Sequence, residues 1–391
     1  MQGQAMLSQD VSPAHQQLQK QEYRFRFTGS GGEYFSIWIV NLLLSIITLG
    51  IYSAWAKVRR EQYFHRNTLL DDQPFDYTGD PVRILIGRIV ALLVIGVGSA
   101  VQEVNLVMAL AVTAVFFLLF PWVIVRSMRF RARNTRYRNL SFAFTGTTFE
   151  ALKAYFWIYV ALLPFIAASI LMTPELKHIQ ENPELANAPD ATNLMIKLGV
   201  ALGVSVLLGA LLFPAYQCHV RSFLHRHLRY GNAQGTFDGT ASAFYGALFR
   251  TFGVSLLTVV LIGAVGFAAK LAEQPWLLVL AYPVLFLPQA AYTVNMTNVT
   301  YRHAGIGSNG FVSDMKVGAM AWLLFTNLLL LMVTLGLAWP WIKVRLARYR
   351  LAHMSLLMVP GTVDAIIGEA QNNPSAFGEE AAEFLDFDVS L

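Results

Sequence analysis

Residues 41–63 read NLLLSIITLGIYSAWAKVRREQY, and residues 327–349 read NLLLLMVTLGLAWPWIKVRLARY. The two stretches align without a gap. They share Asn41 with Asn327, Thr48-Leu49-Gly50 with Thr334-Leu335-Gly336, Trp55 with Trp341, Lys57-Val58-Arg59 with Lys343-Val344-Arg345, and Tyr63 with Tyr349. Most of the chain lies between them, so an internal repeat governs the architecture. The repeating unit is an apolar helix, an aromatic or proline at a membrane interface, and a basic amphipathic helix beyond it. Trp and Tyr suit the headgroup level, and Pro kinks a helix where it removes a backbone hydrogen bond.

Fainter copies lie between the two. Residues 120–134, FPWVIVRSMRFRARN, carry Pro121, Trp122, Val125, Arg126, Phe130 and Asn134 where the first copy has Ala54, Trp55, Val58, Arg59, Tyr63 and Asn67. A looser copy runs Pro214, Tyr216, Val220, Arg221, and another Pro288, Tyr292, Val294, Asn298. Short alternating runs ending near Thr-Gly open the units: Phe25-Arg26-Phe27-Thr28-Gly29, Phe75-Asp76-Tyr77-Thr78-Gly79, Phe142-Ala143-Phe144-Thr145-Gly146 and a degenerate Phe237-Asp238-Gly239. Alternation is the period of a strand, and Gly permits the turn after it. Five units are expected, beginning near Phe27, Tyr77, Phe144, Phe237 and Ile306.

The composition says what solvent surrounds these units. The chain of 391 residues is 55% hydrophobic and 14% charged, with a mean hydropathy of +0.48, whereas a soluble domain carries about 25% charged residues. A span needs about 20 apolar residues. Blocks at 84–101, 105–125, 154–172, 194–216, 252–269 and 276–292 meet that length, and blocks at 34–56 and 317–342 bracket them. The single cysteine, Cys218, excludes an intrachain disulfide and a cysteine metal cluster.

The charges sort the loops. Arg126, Arg129, Arg131, Arg133, Arg136 and Arg138 follow one block without an acid among them; Arg221, Arg226 and Arg229 follow another; Lys57, Arg59, Arg60 and Arg66 precede a third. Lys and Arg gather on the cytoplasmic side. The stretch 173–193 instead carries Glu175, Glu181, Glu184 and Asp190 against Lys177, so it faces away. The six blocks pair as three hairpins that start and finish in the cytoplasm. The same sorting accounts for the basic face without a nucleic-acid partner.

The pattern FTGSGGEYF, then TLGIYSAWAKVRREQYF, then FDYTGDP, with a second basic helix near the C-terminus, resembles the YjgN-like family of bacterial inner-membrane proteins, a domain of unknown function. The resemblance runs from about Tyr23 onward. It implies a multi-pass protein of the cell inner membrane and offers no substrate, reaction or catalytic residue to carry over.

Chemistry is sparse. Ionisable residues at membrane depth mark ion or proton paths; Arg88 and Lys197 lie near block ends, where long side chains reach the interface. Asn41 and Asn327 are the polar residues at membrane depth, and helix–helix hydrogen bonding is the plainer role for them. The histidines closest in sequence, His225 and His227, are two apart and point to different helix faces. No phosphate loop, nucleophile elbow or zinc-protease helix is present, so no enzyme, no metal and no cofactor is expected.

The sequence thus predicts an all-α polytopic membrane protein, a helical bundle of internal repeats with a small cytoplasmic layer of basic amphipathic helices and short strands. Residues 1–22 read as a disordered tail, 23–353 as the repeat-built membrane domain, and 354–391 as an acidic tail, either docked on the basic helices or solvated. Segments 34–56 and 317–342 are expected to enter and leave on the cytoplasmic side, broken at Thr-Leu-Gly; two plain spans are the alternative. Arg59, Arg126, Arg221 and Arg345 are the candidate lipid- or anion-binding residues, with anionic headgroups at the cytoplasmic rim as partners. The function expected first is a transporter, channel or lipid-handling protein for a small solute or lipid, because repeat-built bundles often enclose a central path; the alternative is a non-transporting scaffold or sensor that binds anionic lipid or a partner protein.

Overall fold

The computed structural model describes residues 20–102, 106–182 and 189–372. Most of the expected N-terminal tail, and the acidic segment past residue 372, lie outside them.

Each repeat begins and ends in a short strand. Unit one runs β2 (Arg26–Phe27), α1 (Gly31–Ile47), α2 (Ser53–Arg66) and β3 (Thr68–Leu70), preceded by β1 (Gln21–Arg24). Unit two runs β4 (Gln73–Tyr77), α3 (Pro81–Gln102), α4 (Leu106–Asn134) and β5 (Thr135–Tyr137). Unit three holds β6 (Leu140–Phe144), α5 (Thr148–Leu171), α6 (Thr173–Glu181), α7 (Pro189–Arg226) and β7 (Leu228–Tyr230). Unit four holds β8 (Ala233–Phe237), α8 (Ala241–Leu271), two short 3₁₀ segments, α9 (Leu287–Arg302) and β9 (Ala304–Ile306). Unit five holds β10 (Asn309–Ser313), α10 (Val317–Val333), α11 (Trp339–Ala352) and β11 (Met354–Met358), and α12 (Thr362–Asn372) follows.

One hydrogen bond recurs in every unit. The amide of the residue after the opening strand donates to the carbonyl that ends the second helix: Thr28 to Asn67 (2.9 Å), Thr78 to Asn134 (2.9 Å), Thr145 to His227 (2.9 Å), Asp238 to His303 (3.1 Å) and Asp314 to His353 (3.2 Å). Adjacent units join through two-residue hairpin turns with left-handed backbone, as at Asp71-Asp72 and Arg138-Asn139. Such turns match the right-handed twist of the strands they connect.

These strands correct the all-α expectation. They form one continuous antiparallel sheet of eleven strands in the order β1-β11-β10-β9-β8-β7-β6-β5-β4-β3-β2. Its two end strands, β1 and β2, are consecutive pieces of the segment 21–27, joined at Phe25, so the sheet closes into a ring through the chain itself. Phe25 N–H donates to the Met354 carbonyl (3.1 Å) at that seam. Strands of two to five residues cannot persist alone; here β3 to β11 each pair with two neighbours, and β1 and β2, paired with β11 and β3, are joined to each other through the chain.

The ring is filled. Leu70, Tyr137, Tyr230, Leu356 and Met358 converge from strands all around it and pack with Ile366 of α12. Tyr137 donates its hydroxyl to the Leu70 carbonyl (2.8 Å) and Tyr230 to the Tyr137 carbonyl (2.9 Å), so each buried hydroxyl has a partner. Helix α12 closes the mouth: Arg138 pairs with Asp364 (2.6 Å), and Asn232 bonds Glu369.

Above the ring the helices also close into a circle. Each unit's second helix packs on the first helix of the next unit, and α11 of unit five packs on α1 of unit one. The two copies of the quoted repeat are therefore neighbours. Phe35 lies 4.9 Å from Trp341, and Arg348 donates to the Gly29 carbonyl (2.9 Å).

Six helices among the described residues are long and apolar enough to cross a membrane. Their apolar side chains face outward over most of their circumference; on α3, the consecutive residues Leu92, Leu93, Val94 and Ile95 are all exposed. Successive helical residues turn by about 100°, so such a run covers every side and suits acyl chains rather than water.

Units one and five are shorter. Their first helices, of 17 residues, reach about 25 Å at 1.5 Å per residue, then reverse at Thr-Leu-Gly and return to the same ring. Leu49 and Gly50 have φ of 50° and 90°, and Leu335 and Gly336 have 49° and 93°. Both tips are apolar, Leu49 94% and Leu335 92% exposed. Thr48 Oγ1 donates to the Leu44 carbonyl (2.7 Å) and accepts from Tyr52 N–H (2.9 Å), and Thr334 repeats this with Leu330 and Ala338. Backbone that bends in hydrocarbon requires such internal partners. A segment that leaves and rejoins one closed sheet makes no single crossing.

Candidate functional site

The ring-side ends of the second helices form a basic layer between ring and membrane. Counting eight residues back from the five closing carbonyls gives Arg59, Arg126, His219, Asn295 and Arg345. The register is secure, because the residue before each of these, Val58, Val125, Cys218, Val294 and Val344, is buried in every unit. Arg59, Arg126 and Arg345 thus occupy equivalent places. Arg221 does not: His219 holds that position in unit three, and Arg221 lies two residues on, where a helix turns to a different face.

Strand alternation tells outside from inside. Phe75 belongs to the ring filling, and side chains alternate along a strand, so Tyr77 also points inward and Asp76 outward. Arg66 donates its Nε to Asp76 (2.8 Å) and is therefore outside. Arg59 lies seven residues earlier, on the same helix face, and shares a groove with Arg66. Arg59 faces outward.

That groove, of about 520 Å³, lies between α1 and α2 and is lined by Ser36, Ile37, Val40, Arg59, Gln62 and Arg66. A second, of about 440 Å³, lies between α5 and α7, lined by Phe149, Lys153, Phe156, Trp157 and His219. They are repeat copies. Counted from Phe27 and Phe144, Ser36 matches Lys153 and Val40 matches Trp157, while Arg59 matches His219. Each combines an apolar or aromatic wall with cations. His219 Nδ1 lies 2.7 Å from the Ala215 carbonyl and 3.2 Å from the Trp157 indole Nε1, which ties the imidazole to both its own helix and the facing α5.

The equivalent arginines differ in company. Arg345 donates to Asn327 Oδ1 (2.8 Å) and Thr326 Oγ1 (3.0 Å). Arg126 lies over the Trp122 ring at 5.6 Å. Arg59 lies over the Tyr52 ring at 5.8 Å, and Val40 stands where Thr326 does, so its guanidinium is left to the groove. Asn41 and Asn327 are both buried; Asn41 Oδ1 has no partner among the described residues. Arg221 is half-buried, its Nε without a partner among the described residues. No three His, Cys, Asp or Glu converge on a metal geometry among the described residues.

A closed strand ring carrying a circle of five helical hairpins, with six long apolar helices in three of them and cations at the junction, defines a polytopic membrane protein. The chain belongs to the family described as a bacterial protein of unknown function (DUF898), whose model matches residues 22–384. It is 24% identical over 349 residues to the inner membrane protein YjgN of Salmonella typhimurium (strain LT2), covering 83% of this chain and 85% of that one. It is 29% identical over 148 residues to inner membrane protein YjgN of Escherichia coli (strain K12), covering 37% of this chain and 36% of that one. No solved structure matches. This is a multi-pass protein of the bacterial inner membrane.

Proposed function

We propose that this protein binds anionic phospholipid of the cytoplasmic leaflet along the outer face of its basic layer, and acts as a lipid-reading scaffold or sensor rather than as a channel. The observation that carries this reading is Arg59, a cation without a carboxylate partner among the described residues, in an outward groove walled by Ile37 and Val40. The apolar wall suits an acyl chain and the guanidinium a phosphate, to which arginine donates in a bidentate fork. Each cation near an anionic surface contributes about 1 kcal/mol. The filled ring supports a closed centre over a solute path. Transport or lipid handling draws its support from the circle of repeats, an arrangement in which binding sites lie at repeat interfaces.

Quenching of tryptophan fluorescence by brominated phosphatidylglycerol and brominated phosphatidylcholine, in protein reconstituted with each, tests the reading. Wild type should prefer phosphatidylglycerol, and Arg59→Gln/Arg126→Gln/Arg345→Gln should lose that preference. Equal quenching of wild type by both lipids would overturn it.

A further inference from the structure

The face of the second helices opposite Arg59 carries a separate set of cations. Lys57 and Arg60 are three residues apart, and Lys343 and Arg350 seven apart, spacings that share a helix face; Lys57 and Lys343 are each two residues from the outward arginine of their unit. Tyr77, which points into the ring, lies in the field of Arg60, Glu61 and Arg131. These groups therefore stand on the concave side of the circle, directly above the aromatic filling. Arg221 occupies in unit three the position of Glu61 in unit one, and Tyr301 lies in the field of both Arg221 and Arg350.

We propose that Lys57, Arg60, Arg131, Arg221, Lys343 and Arg350 form an internal anion-binding chamber for a ligand with clustered phosphate charge. Within the described residues one carboxylate, Glu61, stands with them, and it is paired to Arg60 at 2.8 Å. The side chains of Lys57, Arg131 and Arg350 have no hydrogen bond or ion pair there, Lys343 lies over the Trp339 ring at 4.5 Å, and the Arg221 Nε is buried without a partner. Burial, reinforced by the neighbouring guanidiniums, holds the Lys57 ammonium below the usual lysine range, and Lys343 likewise. Like charges gathered at partly buried positions repel one another, and a phosphate, with charge near −2 and several acceptor oxygens, compensates them. The aromatic floor closes the chamber toward the cytoplasm. Its wall is lowest at units one and five, whose short apolar hairpins stand side by side, so a lipid headgroup and a soluble phosphate are both sources of this chemistry. This chamber is independent of the outer grooves.

The test uses full-length protein in phosphatidylcholine nanodiscs, with pyrophosphate or added phosphatidylglycerol as probes. Acetylation rates of Lys57 and Lys343, read by peptide mass spectrometry, should fall at least fivefold with one probe, while Lys270 at the far end of α8 is unaffected. Protection by pyrophosphate assigns a soluble ligand, and protection by phosphatidylglycerol alone assigns a lipid. Lys57→Gln/Lys343→Gln should weaken binding of the protecting probe at least tenfold, Lys57→Arg/Lys343→Arg should retain it, and Arg59→Gln should leave it unchanged. Protection by neither probe in wild type, or unchanged binding in the glutamine variant, would overturn the chamber whatever the outer-face lipid assay returns.

Discussion

Arg345 donates to Asn327 Oδ1 at 2.8 Å, whereas its repeat partner Arg59 makes no such bond to Asn41. The two copies share the residues but not the interaction. In unit five Thr326 and Asn327 hold the guanidinium between them; in unit one Val40 removes one anchor. Asn327→Leu leaves a half-buried arginine short of a partner and should lower stability by about 1–3 kcal/mol. Asn41→Leu removes a carbonyl oxygen with no partner among the described residues and should be neutral or mildly stabilising. Thermal unfolding of both variants in one detergent checks the contrast.

The short hairpins make a topology prediction. Because α1–α2 and α10–α11 both return to the strand ring, reporters fused after Tyr63 and after His353 should both report the cytoplasm. A periplasmic signal after His353 would show a single crossing and contradict the closed ring. Gly50 and Gly336 adopt positive φ, so Gly50→Val or Gly336→Val should strain the reversal and lower stability by about 1–2 kcal/mol, measured by thermal unfolding.

The ring filling predicts alkaline behaviour. Burial pushes the Tyr137 hydroxyl up to about 12, and pushes Tyr230 upward as well. A folded-state pKa raised above the unfolded value of about 10 contributes stability that is intact below pH 10 and is lost as pH rises toward 12. Tyr137→Phe/Tyr230→Phe should flatten that alkaline limb, followed as soluble folded fraction against pH, at a cost near neutrality from two lost hydrogen bonds of about 1 kcal/mol each.

Helix α12 should be separable from the ring. Gly231 has φ of 58°, and a Cβ there would meet Ile366 Cγ2 at 2.7 Å. Gly231→Val should expel α12, seen as faster amide exchange across 362–372 with protection retained in the outer strands. Arg138→Ala, which removes the pair to Asp364 on an exposed partner, should give a smaller effect of under about 1 kcal/mol. Equal exchange in wild type and Gly231→Val would exclude a docked helix.

By itself the sequence determined what kind of solvent each segment meets and how often the pattern recurs. Long apolar blocks, arginines gathered on one side, and the paired stretches around Asn41 and Asn327 are local signals, because hydropathy and charge act residue by residue. The reversals at Thr-Leu-Gly were legible for the same reason. The tertiary structure decided what joins across distance. Pairing of β1 with β11 links residues more than 300 apart, and strands of two to five residues carry too little period to announce their partners. Nor does the basic character of a helix say which face meets lipid and which meets the interior. That follows from closure of the ring: it sets Asp76 and Arg66 outside, hence Arg59 outside. His219 escaped a reading that matched the Val-Arg dipeptide at Arg221; the recurring hydrogen bond at the end of each second helix restores its register. Composition is a property of residues, while enclosure is a property of the whole circle, and only the folded chain has one.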